Sequence, residues 1–262
     1  MLRGCAISHT VNVGDHMLKK FLKPLARSQI VMGLQGYMSA RTERRFVNMS
    51  PAEVFSEIYR RKMWGSARDS DYCSGQGSHD ASIIEPYIQS VRAFLSAFPT
   101  APDVVDLGCG DFNVGSRLRD CCAGFVATDV VRELVDRNAL VFGNLNVSFR
   151  CIDIISEDLP AGEVAFLRQV AQHLTNAQIA SILPKLSQYQ WIIFSEHLPS
   201  VDKFKANLDK PVGSGVRVSM GSGVVLTEPP FNFAVEEAKL LCRVRLQEMS
   251  GIVQTIAYRM IP

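Results

Sequence analysis

Several features are missing from this chain, and each absence closes off a class of function. No run of about 18 uncharged apolar residues occurs, so no transmembrane helix is expected. The seven cysteines (Cys5, Cys73, Cys109, Cys121, Cys122, Cys151 and Cys242) are odd in number and never stand as Cys-x-x-Cys. That pattern gives neither a disulfide framework nor a zinc site, and no metal is expected. The cysteines read instead as small apolar core residues in a reducing cytoplasm. The chain has no Gly-x-x-x-x-Gly-Lys-Ser/Thr phosphate loop and no Gly-x-Gly-x-x-Gly dinucleotide fingerprint. Internal repeats and low-complexity tracts are absent, and residues 1–16 carry no signal-peptide pattern.

What is present is ordinary in bulk and uneven in charge. The 262 residues suffice for one large α/β domain with an appendage. Hydrophobic content of 47% and charged content of 21% suit a globular protein. The net charge of +2 conceals an asymmetry, because residues 1–50 hold eight Lys/Arg against two acids. Residues 1–49 read as a basic, solvated and partly disordered leader. The alternative is peripheral docking on the anionic inner surface of a membrane. Met17–Lys23 has an amphipathic look, which Pro24 interrupts. No nucleic-acid partner is expected, and the oligomeric state is not legible.

From residue 50 onward the pattern becomes regular. Ser50 can cap a helix, Pro51 suits its first position, and Glu53 can close a capping box. A Gly- and Ser-rich loop spans 64–80, and a long apolar-faced helix runs from Ile83 to Phe98, with Pro86 tolerable in its first turns. Buried strands are predicted at 103–107, 125–128, 147–151, 164–167 and 191–194. Helices are predicted at 113–121, at 131–141 and after the Thr175–Gln178 capping box, where Pro184 should distort the last turns. Strands alternating with helices at this spacing imply right-handed crossovers and a parallel sheet. Residues 242–246 and 252–261 read instead as a closing antiparallel hairpin, with the turn at Ser250-Gly251. Residues 198–239 lack periodicity and read as a substrate-side insertion or lid.

The run Val104-Val105-Asp106-Leu107-Gly108-Cys109-Gly110-Asp111 carries the chemistry. A buried strand ends in a Gly-x-Gly turn, where backbone can approach a ligand closely. A helix starting near Asn113 would aim its free N–H groups at the same spot. Such a pocket at the carboxyl edge of a parallel sheet suits a nucleotide-like ligand. Asp129 ends the second strand, 19 residues beyond Gly110, where a carboxylate can accept from a ribose diol.

This run, with Asp129 and Asp153 at later strand ends, resembles class I S-adenosylmethionine-dependent methyltransferases. The resemblance covers residues 50–262. It implies a Rossmann-like fold, a seven-stranded mostly parallel sheet with helices on both faces. It implies S-adenosyl-L-methionine as cofactor, held by Asp106, Gly108, Cys109 and Gly110. Asp129 and Val130 would serve the ribose, Asp153 would meet the adenine amine, and Ile152 or Ile154 would pack on the ring. The stretch Phe166–Leu174 resembles the Leu-Arg-x-Val-x-x-His-Leu pattern of one subgroup, which brings in Arg168 and Gln169. Family members often carry Asp where this chain has Gln169. Trp64, Gly75 and Ser78 would cover the methionyl end.

The function expected is methyl transfer to a small metabolite or to a sugar or glycan hydroxyl. A hydroxyl acceptor needs a base, and His173 and Glu196 are the candidates, with His197 beside them. His173 also has a plainer reading, as a packed or capping residue. Two other readings stay open: a non-catalytic module that binds S-adenosylmethionine, and a nicotinamide-dependent Rossmann enzyme. The glycine spacing and the hairpin count against the last.

Overall fold

The computed structural model describes residues 44–66, 72–246 and 251–261. The leader readings up to residue 43, the Ser250 half of the last turn and Cys5 lie outside them. Within the stretch read as leader, Phe46 is buried against Val54 and Ile58, so ordered packing begins before residue 50.

Four helices follow from local signals. The first, α1 (Pro51–Arg60), opens with the capping box: Ser50 Oγ accepts from Glu53 N at 3.3 Å and Glu53 Oε2 accepts from Ser50 N at 2.7 Å. In α2 (Ala81–Leu95) Asp80 caps, and Pro86 is carried inside. α3 (Arg132–Val141) follows, and α4 (Asn176–Leu186) begins at the Thr175–Gln178 capping box. Pro184 stands two residues from the end of α4, where few hydrogen bonds remain to be broken.

Seven strands form one sheet in the order β3-β2-β1-β4-β5-β7-β6. They are β1 (Val104–Leu107), β2 (Phe125–Asp129), β3 (Ser148–Cys151), β4 (Val164–Arg168), β5 (Trp191–Leu198), β6 (Glu237–Arg245) and β7 (Ile252–Arg259). The first five pair in parallel, and β7 runs antiparallel to both neighbours. An antiparallel strand wedged between β5 and β6 separates this sheet from an all-parallel dinucleotide fold. α2 and the 112–122 turn cover one face through Ile84, Tyr87, Val91, Phe112 and Leu118. α4 and residues 224–235 cover the other through Ile179, Ile182, Leu186, Val224 and Leu226. β1 and β4 are therefore buried on both faces, and their largely apolar runs made them readable.

Some expectations fail. The strand predicted at 147–151 as buried is β3, half exposed because it forms the edge of the sheet. The helix predicted at 113–121 is a pair of short 3-10 turns, Gly115–Arg117 and Arg119–Cys121. Phe112 there adopts φ 62 to bury its ring among Phe125, Phe142 and Phe149. Packing that ring displaces the regular helix, and with it the helix N-terminus expected at Asn113. The cysteine expectation holds for most of the described ones: Cys122 is buried in the core, Cys109, Cys121 and Cys242 pack half-buried against it, and Cys73 and Cys151 are half-buried.

Candidate cofactor and acceptor site

The carboxyl ends of β1, β2, β4 and β5 deliver the predicted residues to one edge of the sheet. After β1 the chain turns through Gly108 (φ +78) and Gly110 (φ +56), which non-glycine residues adopt only under strain. A Cβ on Gly108 would lie 2.6 Å from Val170 Cγ2, and one on Gly110 would strike Ser74 Oγ. The bare backbone here thus lets the chain's own neighbours close in. Asn138, fully buried on α3, donates to Gly110 O at 2.7 Å and fixes the turn from below.

Asp129 accepts from Gly110 N and Val131 N, both at 3.0 Å. Each carboxylate oxygen keeps a second lone pair. Burial pushes its carboxyl up to about 6, against the pull of the Val131 and Gly110 amides. Asp106 is 7% exposed, and burial pushes it up to about 7, opposed by the Arg168 guanidinium and reinforced by Asp129. Val130 packs with Tyr59, Val131 and Leu134. The half-exposed Cys109 sits between the two glycines, its Sγ 3.6 Å from Gly110 O.

The Gly/Ser loop folds over this turn. Ser74 N donates to Asp111 Oδ2 at 2.7 Å, and Asp111 N donates back to Ser74 Oγ at 2.8 Å. Tyr59 OH pairs with Ser74 Oγ at 2.9 Å, and Asn113 Nδ2 donates to Ser78 O at 2.6 Å. Arg168 reaches in from β4 to Gly77 O and, at 3.3 Å, to Ser78 Oγ, with its guanidinium over the Tyr87 ring. Gln169 adopts φ 56 directly after it, a strained backbone that aims its amide at Gly77. Gly75 lies against Trp64. Trp64, Gly75, Ser78, Arg168 and Gln169 are thereby brought together around the glycine turn.

The two candidate bases sit beside this cluster. His173 Nδ1 donates to Gly213 O at 3.1 Å, and Nε2 accepts from Gln172 Nε2 at 3.3 Å. Its ring lies 4.9 Å from Trp64, and burial pulls its pKa down to about 3. Both nitrogens of a neutral ring are engaged. Glu196 is 1% exposed; Oε1 accepts from Gln172 N at 3.2 Å, while Oε2 is buried without a partner. Burial pushes Glu196 up to about 8, and nearby Arg217 works against that rise. His197 points to the opposite face, with Nε2 also unpartnered, and burial pulls it to about 4.

Asp153 follows β3 at the same sheet edge, where Ile152 N donates to Asp129 O at 3.0 Å. The Asp153 carboxylate accepts from Ile155 N at 2.9 Å and Ser156 Oγ at 2.8 Å, the bonds of a local turn. Ile154 is buried in the core beneath α4, and Ile152 is left half-buried at the strand end.

Sequence reasoning missed the residues that assemble the site. Asp111 and Ser74 were visible only as members of a motif and a loop. Arg217 looked like any basic residue in an irregular segment. It is 1% exposed, and all five N–H donors are satisfied, by Leu208 O, Ala171 O, Gln172 O, Leu174 O and Asn176 Oδ1 at 2.8–3.2 Å. No local signal announces such a partner set.

No protein-family model matches the chain, and no curated protein sequence matches it. Its fold does match solved structures. The N-methyltransferase NodS from Bradyrhizobium japonicum WM9, in complex with S-adenosyl-L-homocysteine, aligns with a TM-score of 0.59 and 12% identity, over 79% of this chain and 98% of that one. The methyltransferase domain of bacterial CtHen1-CN aligns with a TM-score of 0.50 and 16% identity, over 67% and 98%. At these identities the likeness establishes the fold, which is that of the class I methyltransferases.

Proposed function

We propose that this chain transfers the methyl group of S-adenosylmethionine to a small acceptor, with a sugar or glycan hydroxyl the first choice. One observation carries the reading. Asp106 and Asp129 are buried at adjacent strand ends with their carboxyls pushed up to about 7 and 6. Arg168 is the cation that opposes the rise at Asp106. Such a site favours a ligand that brings hydroxyl donors and positive charge. S-adenosylmethionine, with a ribose, an ammonium and a sulfonium, fits that donor set.

When bound, the cofactor supplies an electrophilic methyl that needs no further activation. The protein's part is positioning, which can contribute roughly 7–11 kcal/mol. Asp129 would hold the ribose hydroxyls through its remaining lone pairs, and the loop at Gly75–Ser78, clamped by Arg168, would cover the methionyl end. Trp64 and His173 would wall the acceptor side. Glu196 is the base we favour for a hydroxyl, since Oε2 is free and a pKa near 8 suits proton removal close to neutrality.

A second reading keeps the reaction and changes the acceptor to an amine. It is favoured by the engagement of both His173 nitrogens and the 1% exposure of Glu196, because a neutral amine needs no base. NodS is described as an N-methyltransferase.

The test has two arms. Calorimetry with S-adenosylhomocysteine should give one site per chain, and Asp129→Ala should weaken it at least tenfold; no binding by the natural protein ends the proposal. Radiolabelled S-adenosylmethionine with fractionated lysate then identifies the acceptor class. Cofactor binding with no labelled product in any fraction would favour a non-catalytic module.

A further inference from the structure

We propose that Cys73, His79 and Asp111 form a zinc-binding site that fastens the Gly/Ser loop to the turn after β1. One ligand atom from each of the three residues lies within 4.8 Å of the others. This grouping goes beyond the methyl-transfer reading and does not depend on it.

The donor set is thiolate, imidazole and carboxylate, which together suit zinc better than magnesium or calcium. Zinc–ligand lengths of about 2.0–2.3 Å place tetrahedral ligand pairs roughly 3.3–3.6 Å apart. His79 Nε2 and Asp111 Oδ2 are now 2.6 Å apart, so an ion would insert between them and open the pair by less than about 1 Å. Cys73 Sγ lies within 4.8 Å of both, so it would close by no more than about 1.3 Å. His79 is the more exposed partner, with 35% of its side chain exposed, while Asp111 is 5% exposed and held by hydrogen bonds.

The carboxylate is held for this role by contacts that do not consume it. Ser74 N binds Oδ2, Asn113 N binds Oδ1 at 3.2 Å, and the Asp111 amide is tied to Ser74 Oγ. Outer contacts of this kind orient metal ligands. Cys73 and His79 flank the loop residues Ser74–Ser78, and Asp111 directly follows Gly110. Three protein ligands and an exposed histidine leave the fourth position to water. Sequence spacing alone hides the site, because its third ligand lies 32 residues beyond the second and no Cys-x-x-Cys pair marks it.

The experiment uses the full chain, stripped with a chelator and then titrated with zinc and, separately, with cobalt(II). One zinc per chain is expected, and the cobalt form should show a thiolate-to-cobalt charge-transfer band. Cys73→Ser should abolish the band and weaken zinc binding by more than about 100-fold, since outer contacts alone cost 10–100-fold. His79→Ala should weaken zinc binding while retaining the band. Cys109→Ser should change neither. Circular dichroism checks that each variant is folded; should Cys73→Ser unfold, His79→Ala and the natural protein's own spectrum still decide. A natural protein with no charge-transfer band, or a folded Cys73→Ser that binds zinc as before, overturns the proposal.

Discussion

Single side chains here do work that their type alone does not announce. Gly108 is glycine because its φ is +78 and Val170 occupies the space of a Cβ. Gly108→Ala should therefore cost about 2 kcal/mol or more, from the left-handed backbone and the clash together, as read by urea unfolding. Glu196 is glutamate in a place that penalises charge. Its folded pKa, near 8, is raised from an ordinary 4.5. The stability linked to its proton is then fully present below about pH 4.5 and is lost as pH rises through 8. Glu196→Gln should flatten that slope. If Glu196 is the base, the same variant should cut hydroxyl methylation by roughly 10²–10⁴-fold and remove the rise of rate toward pH 8. An unchanged rate would instead favour an amine acceptor.

At the scale of elements, the irregular segment 198–239 behaves as a strap organised by two polar residues. Asn207, 5% exposed at φ 57, donates from Nδ2 to Val225 O, Glu228 O and Pro229 O at 2.9–3.2 Å, while Oδ1 accepts from Val225 N at 2.8 Å. Arg217 ties the strap to the turn at Ala171–His173 and to the start of α4. A buried cation held by five acceptors leaves them all unpaired when it is truncated. Arg217→Met should thus lower stability by about 3–5 kcal/mol and admit protease within 198–239 before the sheet is cut. Cleavage no faster than in the natural protein would show that the strap is held by its apolar contacts. Periodicity found most helices because an amphipathic face repeats locally, and it failed at 113–121 because Phe112 packs across the sheet.

Over the whole molecule, three buried carboxyls share one sign of pH dependence. Asp106, Asp129 and Glu196 all have folded pKa values raised by burial, to about 7, 6 and 8. The ligand-free protein should accordingly lose stability from about pH 6.5 to 8, seen as a falling melting temperature, while below about 6.5 the buried neutral His173 and His197, both pulled down by burial, oppose that fall. Saturating S-adenosylhomocysteine at about 100 Kd should add ~2.7 kcal/mol, or roughly 5–10 °C. A melting temperature that climbs over this pH range would show that these acids are paired or hydrated in solution.

The order of strands and helices, the two capping boxes, the closing hairpin and the glycine turn were all readable from the chain. Each depends on neighbours in sequence: a period of two or of 3.6, a cap three residues from its partner, a turn residue at a strand end. The partners of Arg217, the pairing of Ser74 with Asp111, the engagement of His173 and the grouping of Cys73 with His79 and Asp111 were decided by tertiary structure alone. Those residues meet across tens of positions once parallel pairing brings the strand ends to one edge, and burial then sets their charge. Local pattern carries no record of either distance or dielectric.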